Sequence, residues 1–398
     1  MKSRIQKILV SRPPVATPLA ALEAPRRLDY IDAARGWAFL FVLTVHAFGR
    51  APVDNYLLKS LAASGNYGVQ LFFIASALTL CMSFEARRPK DDRPVTFFLI
   101  RRFFRIAPLF YFGIIFYLIA WGTGPREFAP DGIHARQVAL TAGFLHGWWP
   151  DTINSVVPGG WSIAVEMNFY LCLPLLFVLL TTLRRALVAF VISIPLTVGI
   201  SVLTVKLLRS NFDSGPVAGF TYYWLPRQFP VFLLGIVVFH LSRQSHDSAS
   251  AKRLALFGVL GLLATSVVGD RLPLSYLAHS ICFAVILVAL RSVPLKFLVN
   301  PATRFLGTIS FSAYICHFFA LDVTVATMRT LTGLPRQHPF LMFLILYLLA
   351  LALTCAFSFI TYRLIEVPGQ NLGRLIIARP SRRGGAATTL PAAAEGAI

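Results

Sequence analysis

Arg35 and His46 flank the apolar run 36–45, eleven positions apart. Eleven residues of α-helix make almost three turns, so a guanidinium and an imidazole would share one face about 16 Å apart. Nothing between them is charged. An ionisable residue inside a hydrocarbon-length segment is costly to hold and marks a candidate functional site. A neutral imidazole there suits a general base that takes a proton from a hydroxyl. The plain alternative is a histidine satisfied by a neighbouring carbonyl. The in-phase arginine and the acidic Leu28-Asp29-Tyr30-Ile31-Asp32 ahead of it favour chemistry. This layout puts Arg35 at one membrane face and His46 well inside.

Three further constellations stand out. Arg101-Arg102-Phe103-Phe104-Arg105 opens the third apolar segment, and Arg102 and Arg105, three apart, face the same way. Paired guanidiniums bind phosphate oxygens bidentately; simple anchoring at a membrane face is the other reading. Glu166 is the one acid in the apolar stretch Trp161-Ser162 to Tyr170, five residues in from its start. Such a carboxylate must pair, carry a proton or do chemistry. Pairing with His46 would fix its tautomer and stabilise the imidazolium; pairing with an arginine would be structural. Ser310, Tyr314 and His317 share a helix face at i, i+4 and i+7, as a polar stripe turned to the bundle interior does. His317 and Asp322 stand in an H-x4-D spacing that some acyltransferases use, but so do His146 and Asp151. Two occurrences show how little that spacing specifies. No G-x-S-x-G elbow and no Gly-rich phosphate loop is present.

The elements that position these residues are legible from hydropathy. The 398-residue chain is 56% hydrophobic and only 14% charged, with a mean hydropathy of +0.68. Soluble domains are about 45–50% apolar and about 25% charged. Ten apolar segments approach the ~20 residues a crossing needs, near 33–50, 67–84, 97–121, 161–182, 186–207, 221–241, 254–269, 272–290, 305–328 and 340–364. The expected fold is all-α and polytopic. With both termini cytoplasmic, 27 of the 37 Lys and Arg fall on the inner side, as the positive-inside bias requires. The net charge of +20 thus reads as membrane topology, and no basic helix or aromatic-rich signature points to nucleic acid. Cys81, Cys172, Cys282, Cys316 and Cys355 are scattered singly, with neither zinc-ligand spacing nor a disulfide framework. Residues 1–27 read as a cytoplasmic arm, with Ser11-Arg12-Pro13-Pro14 breaking any signal-peptide core. Residues 369–398 read as a tail, largely disordered. The longest outer loop, 122–160, carries His134, His146, Trp148, Trp149 and Pro158-Gly159-Gly160, and is either an interfacial belt or a substrate holder.

Together these segments resemble the acyltransferase 3 family of integral-membrane enzymes. The landmarks run in order from Leu28 to Pro368: LDYIDAARGWAFLFVLTVHA, GVQLFFIASALTL, RRFFRIAPLFYF, WSIAVEMNFYLCLPLL, FLLGIVVF, LGTISFSAYICH and YRLIEVPGQ. The family's arginine–ten–histidine signature falls on Arg35 and His46, and its Arg-x-x-Arg on Arg102 and Arg105. Its tryptophan–serine–glutamate landmark falls on Trp161, Ser162 and Glu166, and its serine–tyrosine–histidine segment on Ser310, Tyr314 and His317. The closing Glu-x-Pro falls on Glu366 and Pro368. One departure is Ser76-Ala77, where many members have Ser-Gly; alanine removes backbone freedom where a cofactor would approach.

The resemblance implies a bacterial inner-membrane O-acyltransferase. Its donor is cytoplasmic acyl-CoA, usually acetyl-CoA, and its acceptor a hydroxyl of a cell-surface or exported glycan such as O-antigen or exopolysaccharide, free or lipid-linked. In that scheme Arg102, Arg105 and Arg35 hold CoA phosphates, His46 activates the hydroxyl or relays the acyl group, and Glu166 orients His46. No resident cofactor or metal is expected. Some members carry a fused periplasmic domain; a chain ending after the tenth helix either acylates directly or works with a separate periplasmic partner. A proton-coupled transporter or flippase is the rival, against which stand the missing internal repeat and the lack of a Gly/Pro-broken helix pair.

Overall fold

The structure is a computed structural model that describes residues 28–244, 247–269, 272, 274–331 and 338–378. The expectations for the arm 1–27 and the end of the tail, 379–398, lie outside the described residues. Among the described residues there is no strand, and ten helical stretches are long and apolar enough to cross a membrane. The chain is a multi-pass, all-α membrane protein. Hydrocarbon offers the backbone no hydrogen-bond partner, so each apolar run must satisfy its own amides as helix.

The first span is α1 (Asp29–Arg50). A short α2 (Tyr56–Ala63) and a 3-10 turn lead into α3 (Gly68–Arg87). The third span, α4 (Pro94–Trp121), starts on a proline, which needs no amide partner there, and stops at Gly122 with φ +70°. The connection 122–160 holds α5 (Ala135–Ala142) and a 3-10 turn at His146–Trp148. Next come α6 (Trp161–Leu179) and α7 (Leu183–Leu208), the latter capped by the Thr182 side chain. The sixth span is broken at the extended Trp224 (ψ 160°) into α8 (Ser214–Tyr223) and α9 (Leu225–Leu241), since Pro226 in a continuous helix would lack an amide donor and clash with the carbonyl four residues back, and is tolerated in the first turn of α9. Then follow α10 (Ser248–Val268), capped by Asp247, and α11 (Ser275–Ser292).

The last two spans depart from the expected segments. The stretch 305–328 is two helices, α12 (Pro301–Thr308) and α13 (Ser310–Leu331), interrupted at Ile309. The final span, α14 (Pro339–Thr361), passes through a π-helical turn at Tyr362–Glu366 into α15 (Val367–Ala378). Residues 369–378, expected to open a largely disordered tail, are helical. They hold because α15 lies on α4, where Gly369 and Gly373 meet Pro108 and Phe104 too closely to admit a side chain.

Packing centres on α1 and α3. Ile31, Phe39 and Leu43 of α1 and Ile74, Ala77 and Leu78 of α3 are fully buried. The outward faces of α4, α7 and α10 remain apolar, with Ile119, Val191 and Phe257 exposed as a lipid-facing surface requires. Where α1 crosses α12 the backbones touch. A Cβ on Gly36 would lie 2.1 Å from the Thr303 carbonyl oxygen, and one on Gly307 would lie 1.8 Å from that of Asp32. Small residues let membrane helices approach this closely. The crossing is fixed further by the Asp29–Arg304 ion pair at 3.0 Å and by Trp37, whose indole N–H donates to the Leu298 carbonyl at 3.0 Å. Arg35 sits inside this crossing.

Candidate functional site

A pocket of about 650 Å³ opens among α1, α3, α4, α6 and α13, and most of the polar residues singled out above line it. Arg35, Arg102, Arg105, Ser162, Glu166, Ser310 and Tyr314 all face it, together with Ser76, Thr79 and Tyr170. The Arg-x-x-Arg pair is delivered by helical spacing on α4. Arg101, one position away, is turned elsewhere and pairs with Asp91 at 2.5 Å as an anchor.

The three pocket arginines differ in how they are held. Arg35 donates to Asp32 at 3.2 Å and to the Thr79 hydroxyl at 2.9 Å. Arg102 donates to Ser83 at 3.3 Å and lies over the Phe98 ring at 5.7 Å, while its buried Nε has no partner among the described residues. Arg105 makes no hydrogen bond or ion pair among the described residues. Glu166 is the one carboxylate lining the pocket. Its Oε1 accepts from the Ser76 hydroxyl and from Tyr170, four residues on, at 2.7 Å. Asp32 offsets Arg35 from outside the lining, which leaves Arg102 and Arg105 with Glu166 in the pocket and a positive balance. The pocket is built for an anion with donors to spare, and Arg forks suit phosphate.

At the far end Ser162 and Tyr314 close the pocket. Ser162 donates to the Tyr314 hydroxyl at 3.0 Å, and Tyr314 donates to the Gly159 carbonyl at 3.1 Å. Phe72 lines the pocket, meets Tyr314 edge-on at 6.0 Å and packs against the cluster of Phe39, Leu43 and Ala47.

His46 is not part of this lining. It lies one turn from the Arg50 end of α1, with its ring 5.4 Å from that of His317 and 4.5 Å from Phe318. His317 in turn is 5.6 Å from the Tyr314 ring. Its Nδ1 donates to the Tyr314 carbonyl at 2.7 Å, and its buried Nε2 has no partner among the described residues. The three rings Tyr314, His317 and His46 thus link the pocket to the far end of α1. The structure does not bring Glu166 to His46. The carboxylate points across α3 and α6, whereas the imidazole turns to α13. The stripe Ser310, Tyr314 and His317 is likewise divided, its first two members lining the pocket and its third meeting His46.

Other expected residues are structural in their contacts. Trp161 is buried, stacks on Tyr223 at 4.6 Å and stays out of the pocket. Glu366 is buried in the π turn and accepts from Ser312 at 2.9 Å and Gln370 at 3.3 Å. Ala77 points to α9, where a Cβ on Gly235 would lie 2.6 Å from its methyl, so the departure from Ser-Gly concerns helix packing and not the pocket. Neither H-x4-D spacing forms a pair: Asp322 binds Arg50 at 2.8 Å and Asp151 binds Arg136. His146 is buried beneath the 122–160 connection, with Nε2 3.0 Å from the Gly160 carbonyl oxygen, and burial pushes its pKa down to about 4. Among the described residues no group of three His, Cys, Asp or Glu could hold a metal ion.

Sequence reasoning missed Thr79 and Tyr170 and did not make Ser76 a site residue. The signal was present, since Tyr170 stands at i+4 from Glu166, and Ser76 and Thr79 are polar neighbours at i, i+3 in an apolar span.

The acyltransferase domain of the acyltransferase 3 family matches residues 28–363. Among curated proteins, a Staphylococcus aureus (strain COL) protein provisionally named an O-acetyltransferase is 23% identical over 379 residues, covering 87% of this chain and 58% of its own length. The Bacillus subtilis protein YrhL, provisionally named a peptidoglycan O-acetyltransferase, is 24% identical over 87% of this chain and 56% of itself. The peptidoglycan O-acetyltransferase OatA of Listeria monocytogenes is 24% identical over 86% of this chain and 56% of itself. The chain therefore spans somewhat over half the length of the curated relatives it matches. No solved structure is a significant match.

Proposed function

This chain belongs to the acyltransferase 3 family, and from that premise we propose that it is an O-acyltransferase of the bacterial inner membrane. It takes an acetyl group from acyl-CoA on the cytoplasmic side and places it on a hydroxyl of a cell-envelope glycan. O-antigen, exopolysaccharide and peptidoglycan, for which two of the relatives are named, are the acceptor classes. The observation that carries this reading is the pocket's charge: Arg35, Arg102 and Arg105 line it with Glu166, and among the described residues neither Arg102 nor Arg105 is in ion-pair contact with a carboxylate. The same side of the bundle collects the basic connections, which the positive-inside bias assigns to the cytoplasm together with both termini.

CoA phosphates sit on Arg102 and Arg105, and Arg35 closes the mouth. Glu166, fixed by Tyr170 and Ser76, balances the guanidiniums in the same pocket, in place of a direct bond to His46. The pantetheine arm runs toward Tyr314 and Ser162. His46 accepts the proton of the glycan hydroxyl as its oxygen attacks the thioester carbonyl. The new C–O bond forms, the C–S bond breaks, and the departing thiolate takes that proton to leave as free CoA. His317, packed between His46 and Tyr314, fixes the approach.

Release of free CoA from acetyl-CoA by the purified full chain in detergent tests the scheme. His46→Ala should abolish turnover with its melting temperature unchanged. Arg102→Ala should raise the acetyl-CoA KM roughly 10- to 100-fold, as the loss of one charge-assisted bond to phosphate does. Retained turnover in the first variant, or an unchanged KM in the second, refutes the assignment. Glycan movement across vesicles without CoA release would favour the transporter.

A further inference from the structure

The connection 122–160 carries a second cavity, unconnected with the arginine pocket's chemistry. Arg126 builds its frame by donating to the Ser155 carbonyl at 3.0 Å, the Val156 carbonyl at 3.1 Å and the Gly122 carbonyl. A short antiparallel bridge, Arg126 to Ala129, and the Ile133 amide bonded to the Thr123 carbonyl close the same turn. The result is a cleft of about 790 Å³ walled by Trp121, Pro125, Glu127, Asn154, Ser155 and Pro158.

Its chemistry differs from that of the pocket. Arg126 spends its guanidinium on backbone carbonyls and on the Trp121 ring, over which it lies at 5.6 Å, so among the described residues the cleft offers no uncommitted cation. Glu127 is exposed and makes no ion pair among the described residues. The Asn154 side-chain oxygen is shielded from solvent and has no partner among the described residues. Trp121 is 38% exposed at the end of α4. The exposed part of the indole, which Arg126 and Tyr117 brace at 5.6 and 4.9 Å, stands beside two prolines, with the Glu127 carboxylate at the rim and the unpartnered Asn154 oxygen in the wall; this suits a neutral ligand with apolar C–H faces and many hydroxyls. An anion would meet Glu127 unopposed.

The cleft is separated from the pocket by one turn. Pro158 lines the cleft, while the next residue, Gly159, offers its carbonyl to Tyr314 and Ser162, both of which line the pocket. Gly159 has φ +76°, and a Cβ there would stand 3.0 Å from the Tyr314 hydroxyl, so the wall is as thin as a backbone allows. We propose that this cleft, framed by Arg126 and walled by Trp121, Glu127 and Asn154, is a binding subsite for a neutral oligosaccharide. It holds the acceptor one glycine away from the Tyr314 end of the donor pocket. Its role as acceptor site rests on the acyltransferase reading; sugar binding does not.

Isothermal titration of the full chain in detergent with chitotetraose, a neutral N-acetylglucosamine oligomer, tests it. Wild type should bind saturably. Trp121→Ala and Asn154→Ala should each weaken binding about tenfold, as truncating a modest anchor does, and Trp121→Phe should restore most of it. Absence of saturable binding by wild type, or binding unchanged in both truncations, overturns the subsite. Should the chain bind chitotetraose through Trp121 yet release no CoA from acetyl-CoA, the subsite stands and the acyltransferase reading falls. Should acetyl transfer proceed with the acceptor KM unchanged in Trp121→Ala and Asn154→Ala, the subsite falls and the acyltransferase reading stands.

Discussion

Replacing Gly307 by alanine adds one methyl group where α12 crosses α1, and the structure says what that methyl meets. Its carbon would lie 1.8 Å from the Asp32 carbonyl oxygen and 2.5 Å from the carbonyl carbon. Both are backbone atoms of a helix, so no flexible side chain can yield. Ordinary contact for such atoms begins near 3.4 Å, so the two helices must part by roughly 1.6 Å. Overpacking of a well-filled interface costs about 1–3 kcal/mol, and a clash with rigid backbone belongs at the upper end. The separation also moves Arg35, three residues after Asp32. Its bond to Thr79 of α3, at 2.9 Å, cannot survive a shift of that size, whereas its 3.2 Å contact with Asp32 lies within α1 and moves with it. A misplacement of about 1 Å in a group that positions substrate costs on the order of 100-fold in rate. Thermal unfolding in detergent and acetyl-CoA turnover read the two effects separately. Gly199→Ala is the control, since nothing lies within 4 Å of a Cβ there. A Gly307→Ala protein that melts with wild type and turns over acetyl-CoA at the wild-type rate would refute both the tight crossing and its hold on Arg35.

Ala77→Gly should cost about 1–2 kcal/mol, through a lost buried methyl against α9 and a weaker helix, with the acetyl-CoA KM unchanged. A shifted KM would place residue 77 in the donor pocket after all. His146 gives a pH signature. Burial holds its pKa near 4 against 6.5 in the unfolded chain, so its contribution to stability is complete above pH 6.5. That contribution declines as pH falls toward 4, by up to about 3 kcal/mol. Melting temperatures between pH 7.5 and 4.5 should fall more steeply for wild type than for His146→Gln; parallel profiles would show that the imidazole is not held neutral.

Much of the architecture was legible in advance because lipid leaves few choices. Each apolar run had to be a helix, and among the described residues ten spans overlap the ten expected segments, the last two with shifted ends. The ends were less legible. Whether 305–328 is one helix or two depends on how α12 settles across α1, and residues 369–378 are helical only because Gly369 and Gly373 let α15 lie on α4. The first contact leaves no trace in its own segment, whereas the second shows as the Gly369-x3-Gly373 spacing, which does not say which helix it meets.

The pocket divides along the same line. Its polar residues announced themselves, since Arg35, Arg102, Arg105 and Glu166 are costly inside apolar helices and need a reason to be there. The local pairs, Arg102 with Arg105 and Glu166 with Tyr170, follow from helical spacing. What the sequence could not decide is which span each faces. Glu166 is placed against Ser76, ninety residues away, and His46 against His317, because helix rotation and crossing are set by the close contacts of small residues such as Gly36, Gly235 and Gly307. Sequence by itself determined that these charges lie in apolar helices and need partners; only the packed helices decided which would touch.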